Sequence, residues 1–413
     1  MISIFFKNTY LLAVFLLFFL MISCSQVQPK KSVNNSQNNS FPILTGAQQT
    51  AIYFPLIQNK NIAIVANQTS VIFKGENSNK KDKNNYTHLV DSLLSLKIAV
   101  KKVFSPEHGF RGSANAGEKV TNGIDEKTGL PIVSLYGKNK KPTKEQLKGI
   151  NVVVFDIQDV GVRFYTYIST LHYVMEACAE NNIPLIVLDR PNPNGYYIDG
   201  PTLDLKYKSF VGMHPVPLVY GMTIGEYAKM INGEHWLKNG VTCNLIIIPL
   251  KNYTHQSRYS LPIRPSPNLP NDKAINLYPS LGFFEGTTIN AGRGTEYQFQ
   301  QYGAPFFPKS NFSYTPKPNF GAKHPKFENK LCYGVNLKNV AKLKTVNIQY
   351  LIDAYQKTPK NMTFFGTTFT KHVGNLILEK QLKEGKTAEE IHNSWQPKIE
   401  LFKKIRIKYL IYP

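Results

Sequence analysis

Four short aliphatic runs constrain this chain most: residues 61–66 (NIAIVA), 98–104 (IAVKKVF), 152–155 (VVVF) and 184–188 (PLIVL). A strand that is apolar at successive positions presents apolar side chains to both faces of its sheet, so both faces must be covered. Helical stretches separate these runs. Residues 87–95 form one, and residues 168–181 carry Leu171, Val174, Met175 and Cys178 at helical spacing. A further helix–strand unit occupies residues 223–236 and 243–249 (CNLIIIP). This alternation predicts an α/β fold: a Rossmann-like, doubly wound, mostly parallel sheet domain over residues 45–264. The proline-rich stretch at residues 262–270 (PIRPSPNLP) reads as a crossover into a second, smaller α/β domain, residues 265–413. That domain is expected to hold a strand near residues 332–337, helices near 348–356 and 388–395, and a terminal apolar run at 405–412.

The start of the chain belongs to targeting. Lys7 precedes an unbroken apolar stretch, residues 11–19, and the segment closes on Ile22-Ser23-Cys24. A small residue directly before a cysteine, behind a run too short to span a bilayer, is a lipoprotein cleavage signal. Residues 1–24 are thus expected to be a signal peptide with Cys24 lipidated, which implies export and a membrane partner through that anchor. The expected location is the periplasmic side of the outer membrane. Residues 25–44 begin with a stretch rich in Asn, Gln, Ser and Lys, with little apolar surface to offset ordering, and are expected to be a disordered tether.

A formal charge of +22 is compatible with nucleic acid, an anionic membrane or an acidic polymer. The lysines are spread along the chain without a nucleic-acid-binding motif, and export argues against a nucleic-acid partner. Cys178, Cys243 and Cys332 are an odd, scattered set, read as buried free thiols. His108, His172, His214 and His235 lack metal-ligand spacing, so no metal is expected. No G-x-G-x-x-G follows the first run, where the sequence is Ala66-Asn67-Gln68-Thr69-Ser70, and no cofactor is inferred. The nucleophile elbow G-x-S-x-G of many acylhydrolases is likewise missing.

The polar residues just after each run carry the functional signal, because ligands of open parallel sheets bind at the carboxyl ends of the strands. Asn67 follows the first run, Glu107, His108 and Arg111 the second, Asp156 and Gln158 the third, and Asp189 and Arg190 the fourth. Glu107, between Pro106 and Gly109, is the first candidate for chemistry, since a sheltered loop carboxyl can serve as a general acid. Arg163 and Tyr165 lie in DIQDVGVRFYTY; Glu285, Arg293 and Glu296 would line the opposite wall if the second domain closes over the sheet.

The long motifs FSPEHGFRG, TGLPIVSLYG, VVVFDIQDVGVRFYTYISTL, IVLDRPNPNG, YGMTIGEYA, PSPNLP and EGTTINAGRGTEYQFQQYGAP resemble those of the NamZ/YbbC-type exo-β-N-acetylmuramidases. The resemblance extends from about Thr45 to the C-terminus, with Asn194-Gly195 departing from the family pattern. It implies a cofactor-free active site between a Rossmann-like and a smaller domain. It also implies an enzyme that removes terminal β-linked N-acetylmuramic acid from the non-reducing end of peptidoglycan fragments (MurNAc-GlcNAc) and uses Glu107 as the catalytic acid. Asp156, Glu285 or the substrate's own acetamide would supply the second catalytic function, with Tyr165 orienting the acetamide. Arg111, Arg163, Arg190 and Arg293 are candidates for the lactyl carboxylate. The alternative is a non-catalytic lipoprotein that captures muramic-acid-containing sugars, which would need arginines and aromatics but not Glu107.

Overall fold

The computed structural model describes residues 41–74, 85–112, 118 and 121–413. The signal peptide, Cys24 and the tether as far as residue 40 lie outside the described residues. Helix α1 (Thr50–Ile57) leads into strand β1 (Ile62–Ala66), and an antiparallel pair, β2 (Val71–Phe73) and β3 (Tyr86–His88), precedes α2 (Leu89–Ser95). Then come β4 (Val100–Ser105), β5 (Gly123–Ile124), β6 (Pro131–Ser134) and β7 (Val152–Asp156). Helix α3 (Tyr167–Glu180), β8 (Leu185–Leu188), α4 (Ile224–Gly233) and β9 (Leu245–Ile248) complete this part.

Seven strands join in the order β5-β6-β4-β1-β7-β8-β9, parallel except for β5 on its edge. The chain steps outward from β1 through β4 to β6, then returns to the far side of β1 and steps outward again through β7, β8 and β9. The direction therefore reverses between β1 and β7, and this reversal opens a crevice at the carboxyl edge. The continuous apolar runs have the expected cause. Ala63, Val65, Val153, Phe155, Leu185 and Val187 belong to one core, whereas Ile62, Ile64, Val152, Val154, Ile186 and Leu188 belong to another. Alternate residues of each strand thus enter opposite faces. Tyr53 of α1 and Leu89, Val90 and Leu93 of α2 cover the second face; Leu171 and Val174 of α3 and Tyr227 and Ile231 of α4 cover the first.

The C-terminal part contains α5 (Asp272–Leu281), β10 (Gln301–Ala304), β11 (Ser313–Tyr314) and β12 (Cys332–Asn336). Four helices follow: α6 (Gln349–Lys357), α7 (Phe369–Val373), α8 (Ile377–Lys383) and α9 (Ala388–Arg406). The strands form an antiparallel sheet in the order β10-β12-β11. This part has no separate major core: Leu281, Phe283, Phe369 and Trp395 pack in the same cluster as Phe155 and Tyr167. Pro42–Pro413 form one compact unit. Its start lies before the expected position 45, because Ile43 packs against Leu250, Tyr253 and Tyr412 while Leu44 bridges to Lys251. Helix α9 also runs past its expected end at 395, to Arg406, and Ile399 and Phe402 continue its buried stripe.

Candidate active site

The loop leaving β4 carries Glu107 to the crevice. Gly109 N–H donates to the Pro106 carbonyl at 3.2 Å, closing a β-turn in which His108 takes φ 72° and Gly109 φ 80°. Left-handed backbone is costly for a residue with a Cβ, and such strain persists where surrounding structure holds it. Behind the turn, Phe110 stacks edge-on against His88 and lies under Arg111, which in turn binds Asp91 at 2.9 Å and Asp125 at 2.7 Å. Those ion pairs anchor the loop and hold both carboxyls below their usual range, although burial opposes the shift at each.

Glu107 Oε2 accepts a hydrogen bond of 3.0 Å from the Thr166 hydroxyl. Thr166 is the N-cap residue of α3, and its side chain makes no cap hydrogen bond. Tyr136, two residues beyond β6, also hydrogen-bonds Glu107; burial first, then the Glu107 charge, pushes its hydroxyl well above the ordinary tyrosine range. With Tyr165, Ser266, Asn268, Tyr278, Glu285 and His372, these residues line a cavity of about 160 Å³. The crossover loop is fixed there by its Pro265 carbonyl, which accepts from Tyr165 at 2.7 Å and from Gln68 at 3.2 Å.

The far wall comes from the C-terminal part. Glu285 Oε1 pairs with Arg293 Nη1 at 3.1 Å, and the Tyr278 hydroxyl lies 3.5 Å from Glu285 Oε2. Tyr278 is held neutral by burial first, then by the charges of Glu285 and Glu107, so both carboxyls act on one phenol. A second cavity of about 340 Å³ shares Glu285 and His372 with the first and adds Arg293, His324 and Lys326. Lys326 Nζ reaches the carbonyls of Phe284 at 2.8 Å and Thr287 at 2.5 Å, and burial lowers it to about 8. Its hydrogen bonds fix the backbone on either side of Glu285.

A family model described as exo-beta-N-acetylmuramidase NamZ, N-terminal, matches residues 62–273, and its C-terminal counterpart matches residues 276–412. The chain belongs to the NamZ exo-β-N-acetylmuramidase family. It is 41% identical over 336 residues to the peptidoglycan beta-N-acetylmuramidase NamZ of Bacillus subtilis (strain 168), covering 76% of this chain and 80% of that protein. Two crystal structures of DUF1343 family proteins from Bacteroides fragilis NCTC 9343 share the fold. One matches with TM-score 0.81 and 47% identity, covering 90% of this chain and 99% of the other. The second matches with TM-score 0.75 and 28% identity, covering 90% and 100%.

In this NamZ-family site the structure gathers Glu107, His108, Tyr165 and Glu285 around one cavity and Arg293 around its neighbour. The other expected residues lie outside both linings. Asp156 is fully buried in a two-pronged ion pair with Arg190, at 2.6 and 2.9 Å, and neither side chain lines either cavity. Asn67 binds Tyr167 and Thr69, and Gln158 donates to the Asp159 and Pro191 carbonyls; both brace the strand tips. Asp189 accepts from Thr223 and Tyr412, and burial lifts its carboxyl to about 6. Arg163 donates to four carbonyls, of Pro201, Val216, His372 and Val373, in the interior. Arg111 is a loop anchor, and Glu296 is exposed. Tyr136, Thr166, Tyr278 and His372 line the cavity without having been singled out from sequence. Tyr136 follows a strand tip, the signal that marked the others, but strand β6 itself went unrecognised. The three thiols are buried and free, and among the described residues no three His, Cys, Asp or Glu side chains meet as metal ligands.

Proposed function

We propose that this protein is an exo-acting glycoside hydrolase that releases terminal β-linked N-acetylmuramic acid from the non-reducing end of peptidoglycan fragments, with Glu107 as general acid. The observation that carries this is the setting of Glu107: a strained turn presents it to the cavity, and the helix-cap hydroxyl of Thr166 serves it instead of the helix. A hydroxyl can donate to a carboxylate and accept from a carboxylic acid, so such a partner suits a group that gives up a proton and regains it. Glu285 differs. It lines the same cavity from the opposite wall and pairs with Arg293 at 3.1 Å, which supports it as the second carboxyl of a glycosidase pair. Asp156, buried against Arg190, lines neither cavity, which favours Glu285 or the substrate acetamide for that role. Attachment through a lipidated Cys24, facing the periplasm, would place this chemistry beside the cell wall.

Release of 4-nitrophenol from its β-N-acetylmuraminide by the purified protein tests the reading. Turnover by the wild type is expected, and Glu107→Gln should lose at least about 100-fold in kcat on the natural MurNAc-GlcNAc disaccharide and less on the nitrophenyl glycoside, whose leaving group needs little protonation. Binding of N-acetylmuramic acid without turnover would instead identify a capture lipoprotein.

A further inference from the structure

Recognition of muramic acid, on the reading just given, requires a cation for its 3-O-lactyl carboxylate, and the structure narrows the choice. Arg190 is committed to Asp156, Arg163 to main-chain carbonyls in the interior, and Arg111 to Asp91 and Asp125 away from the cavity. Among the described residues, Arg293 is the arginine that lines either of the two neighbouring cavities. Its side chain is part-exposed, and its contacts to Glu285 and to the Gly321 carbonyl use two of five N–H groups.

The two cavities differ in charge. The first holds Glu107 and Glu285; the second holds Arg293 and Lys326 against Glu285 alone, a formal excess of one positive charge with its histidines neutral. Four carbonyls hold the Lys326 ammonium in place, so its field is fixed even though its protons are occupied. The charge balance therefore favours an anionic substituent in the second cavity over the first. Glu285 and His372 form the wall between the two positions.

We propose that Arg293, backed by the fixed charge of Lys326, takes the lactyl carboxylate of the terminal residue and sets the preference for muramic acid over N-acetylglucosamine.

The test compares kcat/KM of wild type, Arg293→Ala and Arg293→Lys on 4-nitrophenyl β-N-acetylmuraminide and on its lactyl methyl ester. In the wild type, esterification is expected to lower kcat/KM on the order of 100-fold, mainly through KM. Arg293→Ala is expected to lower kcat/KM on both substrates through the broken pair with Glu285, and on the free acid by a further factor of similar size to the esterification effect. Arg293→Lys should recover part of the loss, since an ammonium keeps the charge but not the planar fork. Equal losses on acid and ester in Arg293→Ala would overturn the proposal and make Arg293 a positioning residue for Glu285. A variant too poorly folded to assay leaves the wild-type comparison decisive: equal rates on acid and ester would also overturn it. A wild type inactive on both muraminides would defeat the hydrolase reading itself, and this inference with it.

Discussion

A threonine before a helix ordinarily accepts a hydrogen bond from a first-turn N–H, and losing that bond costs ~1 kcal/mol. Thr166 stands at that position before α3 but turns its hydroxyl to Glu107, 3.0 Å away. Activity and stability should therefore separate at this residue. Thr166→Val keeps the shape and loses the hydroxyl, so kcat on the muraminide is expected to fall about 10- to 100-fold. Its melting temperature should shift by no more than about 2 °C, because no cap is lost. Tyr136→Phe is expected to behave similarly, removing the second hydroxyl partner of Glu107. A large loss of stability in Thr166→Val, with kcat unchanged in the folded fraction, would show that the hydroxyl serves the fold and not the acid.

Helix α2 shows what sequence can and cannot reveal at the scale of an element. Its apolar positions were readable, but its cap is a histidine. His88 Nδ1 accepts from Val90 N–H at 3.2 Å, while Nε2 bonds the Asn67 carbonyl at 2.9 Å, which requires the neutral ring with its proton on Nε2. Burial, the largest cause, lowers His88 to about 4. Between pH 6.5 and 4 the unfolded chain then holds more protons at this site than the folded one. Its contribution is complete above pH 6.5 and is lost as pH falls towards 4. His88→Asn can still cap but cannot titrate. Over that window, urea unfolding of the wild type should fall more steeply than that of the variant, by up to about 1.4 kcal/mol per pH unit. Parallel slopes would refute the assignment. The strands were legible because burial on both faces leaves an unbroken apolar signature. Strand β6 and helix α5 were not: PIVS is short, and α5 carries Pro279 within it. The same limit applies to the site. Position after a strand marked Glu107 and Asp156 alike, and only packing separates a residue facing the cavity from one buried against Arg190.

At the scale of the whole molecule, the end of the chain returns to the sheet it left more than 150 residues earlier. The Tyr412 hydroxyl donates to Asp189 Oδ2 at 2.6 Å, beyond the tip of β8, and accepts from Leu250 N–H at 2.8 Å. The Ile411 N–H reaches the buried Glu226 at 2.8 Å, and His255 N–H donates to the Pro413 carbonyl at 2.9 Å. The carboxyl edge of the sheet is thus completed by the last residues of the C-terminal part. These contacts tie the C-terminal part to the sheet at a second place, apart from the core that the two parts share. Asp189 is raised to about 6 by burial despite its donors. An acid raised in the folded state favours folding most fully when it is protonated, below its unfolded value near 4, and loses that contribution as pH rises through 6. Above that point the charged Asp189 depends on Tyr412, Thr223 and the Gly225 and Arg190 N–H groups for compensation. Tyr412→Phe removes one of these donors from an interior charge. Its cost should be about 1–3 kcal/mol at pH 8 and smaller at pH 5, where Asp189 carries its own proton. Urea titrations at both pH values would measure the difference, and a cost independent of pH would mean that Asp189 does not change its protonation state between them.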